Sequence, residues 1–445
     1  MKERLSQFLA IRDSRFEDLN RDNYKSVLYR DFSAGLVTAM TAIPMAMGFA
    51  MAMGLRPEQG IIAGAMACLV GRTFGGSKYQ VYGPTAAFIP LIYGIMQKHD
   101  HGFLVTASIL AGILLCVLGL AGMGKIAKHV PNSVVVGFTV GIGISIAATN
   151  LYDVLGITAA GGGSIITKLQ GVAENIDQVS AYALVIGLLT FGLTKFLLRL
   201  SIYIPAPLIA VAVGTMMAAT TWGEKGLTLV RTKYGEIPTN FFVFTPPSLP
   251  AISSQLIMDL TYAVVAIAFI SGVESLLCSS MADRLAGNRK TPFNPDREFW
   301  GQGMVQIITP LINGFPCTGA LARTATSIRA GAVTPLAGYF KFALKLGMAI
   351  FLAQYLELVP MACIGGIMLW VASNMINVKE ISHVWATGRF HSFLMVYTAV
   401  MVPVTDFLTG VLSALLLYFI LRRFVEPVVE QLPAVVAPKA EGVAA

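Results

Sequence analysis

Two ionisable residues of this chain lie inside apolar stretches, where a charge is costly. Glu274 stands in "AIAFISGVESLLCSSMADRLAG" and Arg323 stands in "GFPCTGALARTATSIRAG". A buried guanidinium without a permanent partner can hold a negative ion, and a carboxylate in such surroundings can bind and release a proton. Two plainer interpretations stay open. In the first, Arg323 extends its side chain to lipid phosphates at the membrane surface. In the second, Glu274 and Arg323 form a fixed ion pair between two helices.

Two interrupted segments would position such an ion. In "KYQVYGPTAAFIPLIYGIM" an extended piece is broken at Gly83-Pro84, and Thr85 opens a short helix. In "INGFPCTGALARTA" the break falls at residues 314–316, and we predict a short helix from about Thr318, with Arg323 one turn in. The first N–H groups of a helix have no intrahelical partner and carry the positive end of its dipole. Two such ends that face each other predict an anion site.

The composition predicts that these segments belong to an all-α polytopic membrane protein. The 445 residues are 55% hydrophobic and 13% charged, with a mean hydropathy of +0.69, whereas soluble proteins carry about 25% charged residues. Fourteen apolar segments follow one another along the chain. They are residues 33–53, 58–74, 81–97, 103–122, 130–150, 181–199, 204–222, 257–281, 300–313, 317–329, 334–355, 358–376, 391–404 and 406–421.

The two broken segments occupy equivalent places, since each is the third segment of its half. Seven segments precede residue 255 and seven follow it. An odd number per half puts the halves in opposite orientations, which predicts a 7+7 inverted repeat. Short, Gly- and Pro-interrupted segments in corresponding places of the two halves are typical of a transporter's binding site.

The distribution of Lys and Arg predicts that both termini are cytoplasmic. The inner connections contain pairs such as Arg72 with Lys78 and Arg422 with Arg423, and Arg329 reads as a further inner-side charge. Residues 1–30 lack the apolar core of a signal peptide and are predicted to form a cytoplasmic arm, residues 223–254 an outer loop, and residues 425–445 a cytoplasmic tail. The segment 158–180 is too polar to span and is predicted as an outer loop with a short interfacial helix.

Other classes of chemistry find no support in the residues. The five cysteines and five histidines show no metal-ligand spacing, and there is no nucleotide-binding motif or nucleophile elbow. We therefore expect no metal, no cofactor, no nucleic-acid partner and no enzymatic activity. The net charge of +8 is accounted for by cytoplasmic Lys and Arg.

Several stretches resemble the sulfate permease (SulP) family, the bacterial relatives of the prestin and pendrin anion exchangers. They are "AIPMAMGFAMAMGLRPEQGIIAG", "YQVYGPTAAF", "ESLLCSSMADRLAG", "GALARTATSIRAGAVTPLAG" and "VLSALLLYFILRRF". The resemblance covers about residues 25–425. It implies 14 segments in a uracil-permease-like inverted repeat, with a core domain of residues 31–122 and 255–355 and a gate domain of 126–222 and 358–424. It also implies elevator-type alternating access, a homodimer and the bacterial inner membrane.

The resemblance also assigns site residues. The family motif carries substrate binding onto five positions: Phe49, Thr85, Leu321, Ala322 and Arg323. Met45 lies one turn before Phe49 and could face the same site, although many relatives have Gln there. Relatives usually carry a cytoplasmic STAS domain after the last segment, and the remaining residues here are too few to form one. Whether that domain is naturally absent or has been cut from this sequence stays open.

The coupling ion follows from departures within the family pattern. Glu274 and Cys278 stand where sodium-dependent bicarbonate carriers have Asp and Thr, and those carriers lack an arginine like Arg323. The resemblance therefore implies secondary active sulfate uptake coupled to protons, with Glu274 as the coupling residue. A bicarbonate carrier coupled to sodium or protons, a C4-dicarboxylate carrier, and an uncoupled anion channel or exchanger remain as alternatives.

Overall fold

The computed structural model describes residues 6, 8, 10, 13–124, 131–158, 165–220, 226–251, 253–405 and 407–425. Most of them are helical. The α-helices are α1 Tyr24–Ala52, α2 Pro57–Phe74, α3 Ile89–Lys98, α4 His101–Leu120, α5 Asn132–Leu155, α6 Ile165–Glu174, α7 Ala181–Leu200, α8 Ala206–Thr220, α9 Val230–Tyr234, α10 Ser254–Ala286, α11 Pro295–Leu311, α12 Leu321–Arg329, α13 Leu336–Glu357, α14 Met361–Met375, α15 Val378–Thr387, α16 Arg389–Val404 and α17 Phe407–Val425. Two short strands, β1 Tyr82–Gly83 and β2 Thr318–Gly319, interrupt this order.

Seven helical stretches in the described part of the chain are long and apolar enough to cross a membrane, and three shorter apolar helices accompany them. Each of the fourteen predicted segments coincides with one helix or half-helix, and the helix expected within residues 158–180 is α6. The number of crossings and the inverted relation of the halves stay predictions. Helix α1 begins at Tyr24, inside the stretch predicted as an arm. The tail 426–445 lies outside the described residues.

The long helices pack as two groups. In one group α4 packs on α10 and α11, α2 on α11 and α13, and α1 on α2, α12 and α13. In the other, α5 packs on α14 and α16, α7 on α8 and α14, and α16 on α17. Helix α1 makes the main contacts between the groups, with α8 and α14. Gly48 allows this approach, since a Cβ there would lie 2.6 Å from the Met368 methyl carbon of α14.

Strands β1 and β2 pair antiparallel in the first group. Tyr82 is opposite Gly319, and Gly83 is opposite Thr318. The two predicted extended pieces therefore meet, which confirms the local prediction that both segments are broken. Along their facing edges the two pieces satisfy each other's backbone groups, and such pairing is what makes non-helical backbone tolerable inside a membrane protein.

The arm before α1 is fastened beneath the same group. The guanidinium of Arg15 donates to the carbonyls of Arg72 (3.0 Å) and Gly75 (2.6 Å), where α2 ends. Asp13 forms ion pairs with Arg15 (2.9 Å) and Arg297. Burial by itself would raise the pKa of Asp13, but the hydrogen bonds and charge of Arg15, with the charge of Arg297, outweigh it and lower that pKa. The arm is thus part of the packed protein.

Candidate functional site

The first broken segment turns at Gly83-Pro84. Gly83 has φ +156°, and a Cβ there would lie 3.0 Å from Nη1 of Arg323. Thr85 is the N-cap of a 3₁₀ turn, Ala86–Phe88, which leads directly into α3. The Thr85 side chain makes no capping hydrogen bond, so the first amides of this half-helix are left for another acceptor.

The second broken segment starts its helix later than predicted. We expected a helix from about Thr318, but Thr318 is in β2 and α12 begins at Leu321. Pairing with the other segment is the reason, because the Ala320 amide donates to the Val81 carbonyl at 2.9 Å and continues the ladder. Arg323 is consequently the third residue of α12. Its N-cap, Ala320, has no side chain that could cap the helix start.

Arg323 points between the two helix starts. Its side chain is 4% exposed, and its Nη2 donates to the carbonyl of Pro84, across from its own segment. Its Nη1 is buried and has no hydrogen-bond partner among the described residues. The snorkelling interpretation is therefore wrong, because a side chain that reached the headgroups would be exposed there. The guanidinium retains donors that can take an anion.

Glu274 joins the site through Thr85. It lies on α10 and is partly exposed, and its Oε2 accepts a hydrogen bond from Thr85 Oγ1 at 3.0 Å. The ion pairs formed by the described residues do not include one between Glu274 and Arg323. The fixed structural bridge is thus not what this conformation shows. The carboxylate instead contacts the residue that opens the first half-helix.

The remaining predicted residues fall into two sets. Leu321, 45% exposed, and Ala322, also exposed, form the open side of the first turn of α12. Met45 and Phe49 lie on α1, which packs against α12. Both are buried in the central apolar cluster. The structure therefore gathers Thr85, Glu274 and Arg323 by direct contacts, and gives Met45 and Phe49 a packing environment.

Sequence reasoning missed a buried carboxylate that fixes the first segment. Glu298, in the first turn of α11, is 0% exposed. It accepts hydrogen bonds from the amides of Gly76 (2.8 Å) and Ser77 (3.0 Å), and from the side chains of Gln80 (2.9 Å), Tyr82 (2.7 Å) and Ser275 (2.6 Å). Glu298 lies three residues after Pro295 in "NPDRE" and reads as an ordinary acid in the first turn of a helix, so the only signal was its place next to an apolar run.

Four buried cations were also missed or misplaced. Lys341 and Lys345 on α13 are 1% and 0% exposed, although "YFKFALKLG" gives no sign of it. Arg72 and Lys78, which we used as inner-loop charges, are buried as well. Arg72 donates to the carbonyls of Lys78 and Tyr79, and Lys78 pairs with Asp18 of the arm. Backbone carbonyls in and before β1 therefore accept hydrogen bonds from two of these cations, Arg72 and Lys341.

Comparison with solved structures establishes the fold. The murine Solute Carrier 26 family member A9 anion transporter in the inward-facing state matches this chain with a TM-score of 0.82 at 18% identity. The match covers 95% of this chain and 72% of that one. At this identity the likeness establishes the fold.

Comparison of sequences establishes the family. The model of the sulfate permease family matches residues 28–398. YvdB of Bacillus subtilis strain 168, a candidate sulfate transporter, is 32% identical over 415 residues, which are 93% of this chain and 76% of that protein. The bicarbonate transporter BicA of Picosynechococcus sp. is 26% identical over 358 residues, 78% of this chain and 62% of its own length. The chain belongs to the sulfate permease family. It is a membrane anion transporter and not an enzyme, which confirms the family resemblance.

Proposed function

We propose that this protein is a secondary active transporter that takes up sulfate together with protons across the bacterial inner membrane. The observation that carries the proposal is the buried Nη1 of Arg323, which has no partner among the described residues. Two half-helices begin beside it without side-chain caps. Amides at helix starts and a guanidinium with a spare donor are the groups that bind oxyanions in proteins. Phe49, Leu321, Ala322 and Met45 would complete the wall of this site.

Proton coupling follows from the contact between Glu274 and Thr85. An ionised Glu274 places a negative charge beside the first half-helix and opposes the anion. Protonation removes that charge and leaves a carboxylic acid that still hydrogen-bonds Thr85. Anion and proton therefore favour each other's binding, and such mutual dependence is reciprocal. Glu274 is the coupling residue in this proposal.

Alternating access would use the two helix groups. The group that holds β1, β2 and α12 corresponds to the proposed core of residues 31–122 and 255–355, and the other group to the gate of 126–222 and 358–424. The contact of α1 with α8 and α14 is the surface along which the core would slide, in an elevator-type movement. A homodimer with both termini in the cytoplasm completes the proposal.

Bicarbonate is the second candidate substrate. The 26% identity to a bicarbonate transporter favours it, and one guanidinium with two helix ends suits either oxyanion. Uptake of labelled sulfate and bicarbonate by proteoliposomes, with an imposed proton gradient, sodium gradient or neither, separates the two. Sulfate uptake that saturates and rises only with an inward proton gradient is the expected result. Uptake of bicarbonate alone with sodium would replace the proposal by the alternative.

Arg323→Ala tests the site itself. Loss of the charged hydrogen bonds, each worth about 1.5–3 kcal/mol, should reduce uptake by roughly 100-fold. Arg329→Ala is the matched control, since Arg329 lies at the other end of α12 and is exposed. Uptake by Arg323→Ala at the level of Arg329→Ala would refute the site.

Glu274→Gln tests the coupling role. Uptake by this variant should continue but no longer respond to the proton gradient, and a retained response would refute the coupling role.

A further inference from the structure

Besides Arg323, which belongs to the site described above, three buried cations donate to backbone carbonyls in or near the segment that leads into the first half-helix. Arg323 donates to the carbonyl of Pro84. Lys341 Nζ donates to the carbonyl of Tyr82 at 3.3 Å. Arg72 donates to the carbonyls of Lys78 and Tyr79, before β1. Lys345, one turn after Lys341 on α13, donates to a carbonyl of α2. The segment thus lies in a region of dense buried positive charge.

The two lysines lie close to the proposed anion site. Lys341 and Arg323 bind carbonyls only two residues apart on the same extended stretch. Lys345 also lies near that stretch, because its ammonium group and Pro84 both approach Gly64 of α2. A Cβ on Gly64 would clash with Lys345 Nζ and would lie 3.1 Å from Cδ of Pro84. Glycine at position 64 therefore lets the ammonium group of Lys345 come near Pro84.

The described residues supply no countercharge to these lysines. No carboxylate forms an ion pair with Lys341 or Lys345 in the described part of the chain. Each side chain has one hydrogen bond, at 3.3 Å, although an ammonium has three donors. The buried Glu298 is occupied by neutral donors. Buried ammonium groups in this condition are costly unless a negative charge comes near them.

We infer that Lys341 and Lys345 set the valence preference of the anion site, favouring a doubly charged over a singly charged oxyanion. The inference rests on the proposed function. The lysines act across the β1 backbone by their charge and so are specificity-determining residues that do not contact the anion. A unit charge on the order of 10 Å away, at an effective dielectric constant of about 20, changes dianion relative to monoanion affinity roughly tenfold.

The test measures dissociation constants of sulfate and nitrate for the purified full chain in detergent. In Lys341→Met the ratio of the nitrate to the sulfate constant should fall roughly tenfold, and Lys341→Arg should retain the ratio because it keeps the charge. Lys195→Met is the matched control, since Lys195 is exposed on α7 and its loss changes the net charge equally. If Lys341→Met does not yield folded protein, Lys345→Met is held to the same expectation.

Three other outcomes overturn the inference. An unchanged ratio in Lys341→Met would show that the charge does not reach the anion. Equal weakening of both anions in Lys341→Met and Lys341→Arg would make the lysine a packing residue only. If the wild-type chain binds and transports neither anion, the proposed function fails and the valence role fails with it. Anion binding with an unchanged ratio rejects the lysine role alone.

Discussion

Glu298→Gln is the substitution that most directly tests how the first half-helix is held. The carboxylate accepts hydrogen bonds from two backbone amides and three side chains. An amide of the same shape has one acceptor oxygen. If that oxygen keeps the amides of Gly76 and Ser77, the new NH₂ group faces the NH₂ group of Gln80, and two donors then oppose each other. The hydroxyls of Tyr82 and Ser275 can rotate and accept.

These contacts determine how much Glu298→Gln lowers the free energy of unfolding. One buried donor left unpaired costs about 1–3 kcal/mol, and the other bonds fall from charge-assisted to neutral strength, about 0.5–1 kcal/mol each. Removing a buried charge recovers part of its desolvation penalty, so we expect a net loss of about 2–5 kcal/mol. For a chain of this length, unfolding as one unit, that corresponds to a melting temperature lower by roughly 2–5 °C.

The assay is thermal unfolding of the detergent-purified protein, followed by loss of the monodisperse peak in fluorescence-detected gel filtration. Tyr82→Phe removes a single donor and leaves the charge, so it should cost about 1 kcal/mol. Glu380→Gln, at an exposed position of α15, is the control and should melt with the wild type. If Glu298→Gln also melts with the wild type, the five contacts do not stabilise the segment and the reasoning is refuted.

Three further expectations can be checked with the same material. Because the pKa of Asp13 is lowered from its ordinary 3.8, its ion pairs stabilise the protein above that ordinary value and are lost as the pH falls through the lowered pKa. Asp13→Asn should therefore melt below the wild type at pH 7, and the melting temperatures of the two proteins should converge once the pH lies below the lowered pKa. Lys168 of α6 lies 4.6 Å from the centre of the Tyr93 ring of α3, a contact worth about 0.5–2 kcal/mol. Tyr93→Leu, but not Tyr93→Phe, should therefore increase labelling of a cysteine introduced between these helices by an impermeant thiol reagent, and equal labelling would show that the contact does not hold the two helices together. Gly83→Ala should weaken sulfate binding at least tenfold, because a Cβ there would lie 3.0 Å from Arg323 Nη1 and alanine would strain the backbone at φ +156°. Unchanged binding measured by titration would show that the guanidinium can move aside freely.

Much of the local architecture could be predicted from the sequence. Gly83-Pro84 and the Gly-Phe-Pro at residues 314–316 break apolar segments wherever the chain folds, because proline lacks an amide donor and glycine tolerates unusual backbone angles. An arginine and a glutamate within apolar stretches stand out by composition alone. The interrupted segments and the two unusual charges could therefore be recognised from residue types and their order along the chain.

The exact start of α12 was decided by the partner segment. The amide of Ala320 and the side chain of Thr324 find their partners on Val81, which selects the extended form up to Ala320. Secondary-structure preference is local, whereas this pairing joins residues more than 200 positions apart, so no pattern in the second segment could reveal it.

Burial of charge was decided by tertiary structure alone. Lys341 and Lys345 are spaced as on any surface helix, and only the packing of α13 on α1 and α2 removes both from solvent. Glu298 likewise reads as a helix start until the loop before β1 folds over it. A sequence determines which residues carry charge and where the backbone must break. What lies opposite each charge depends on the three-dimensional packing, and that packing determines whether the charge stabilises the fold, holds the segment or attracts an anion.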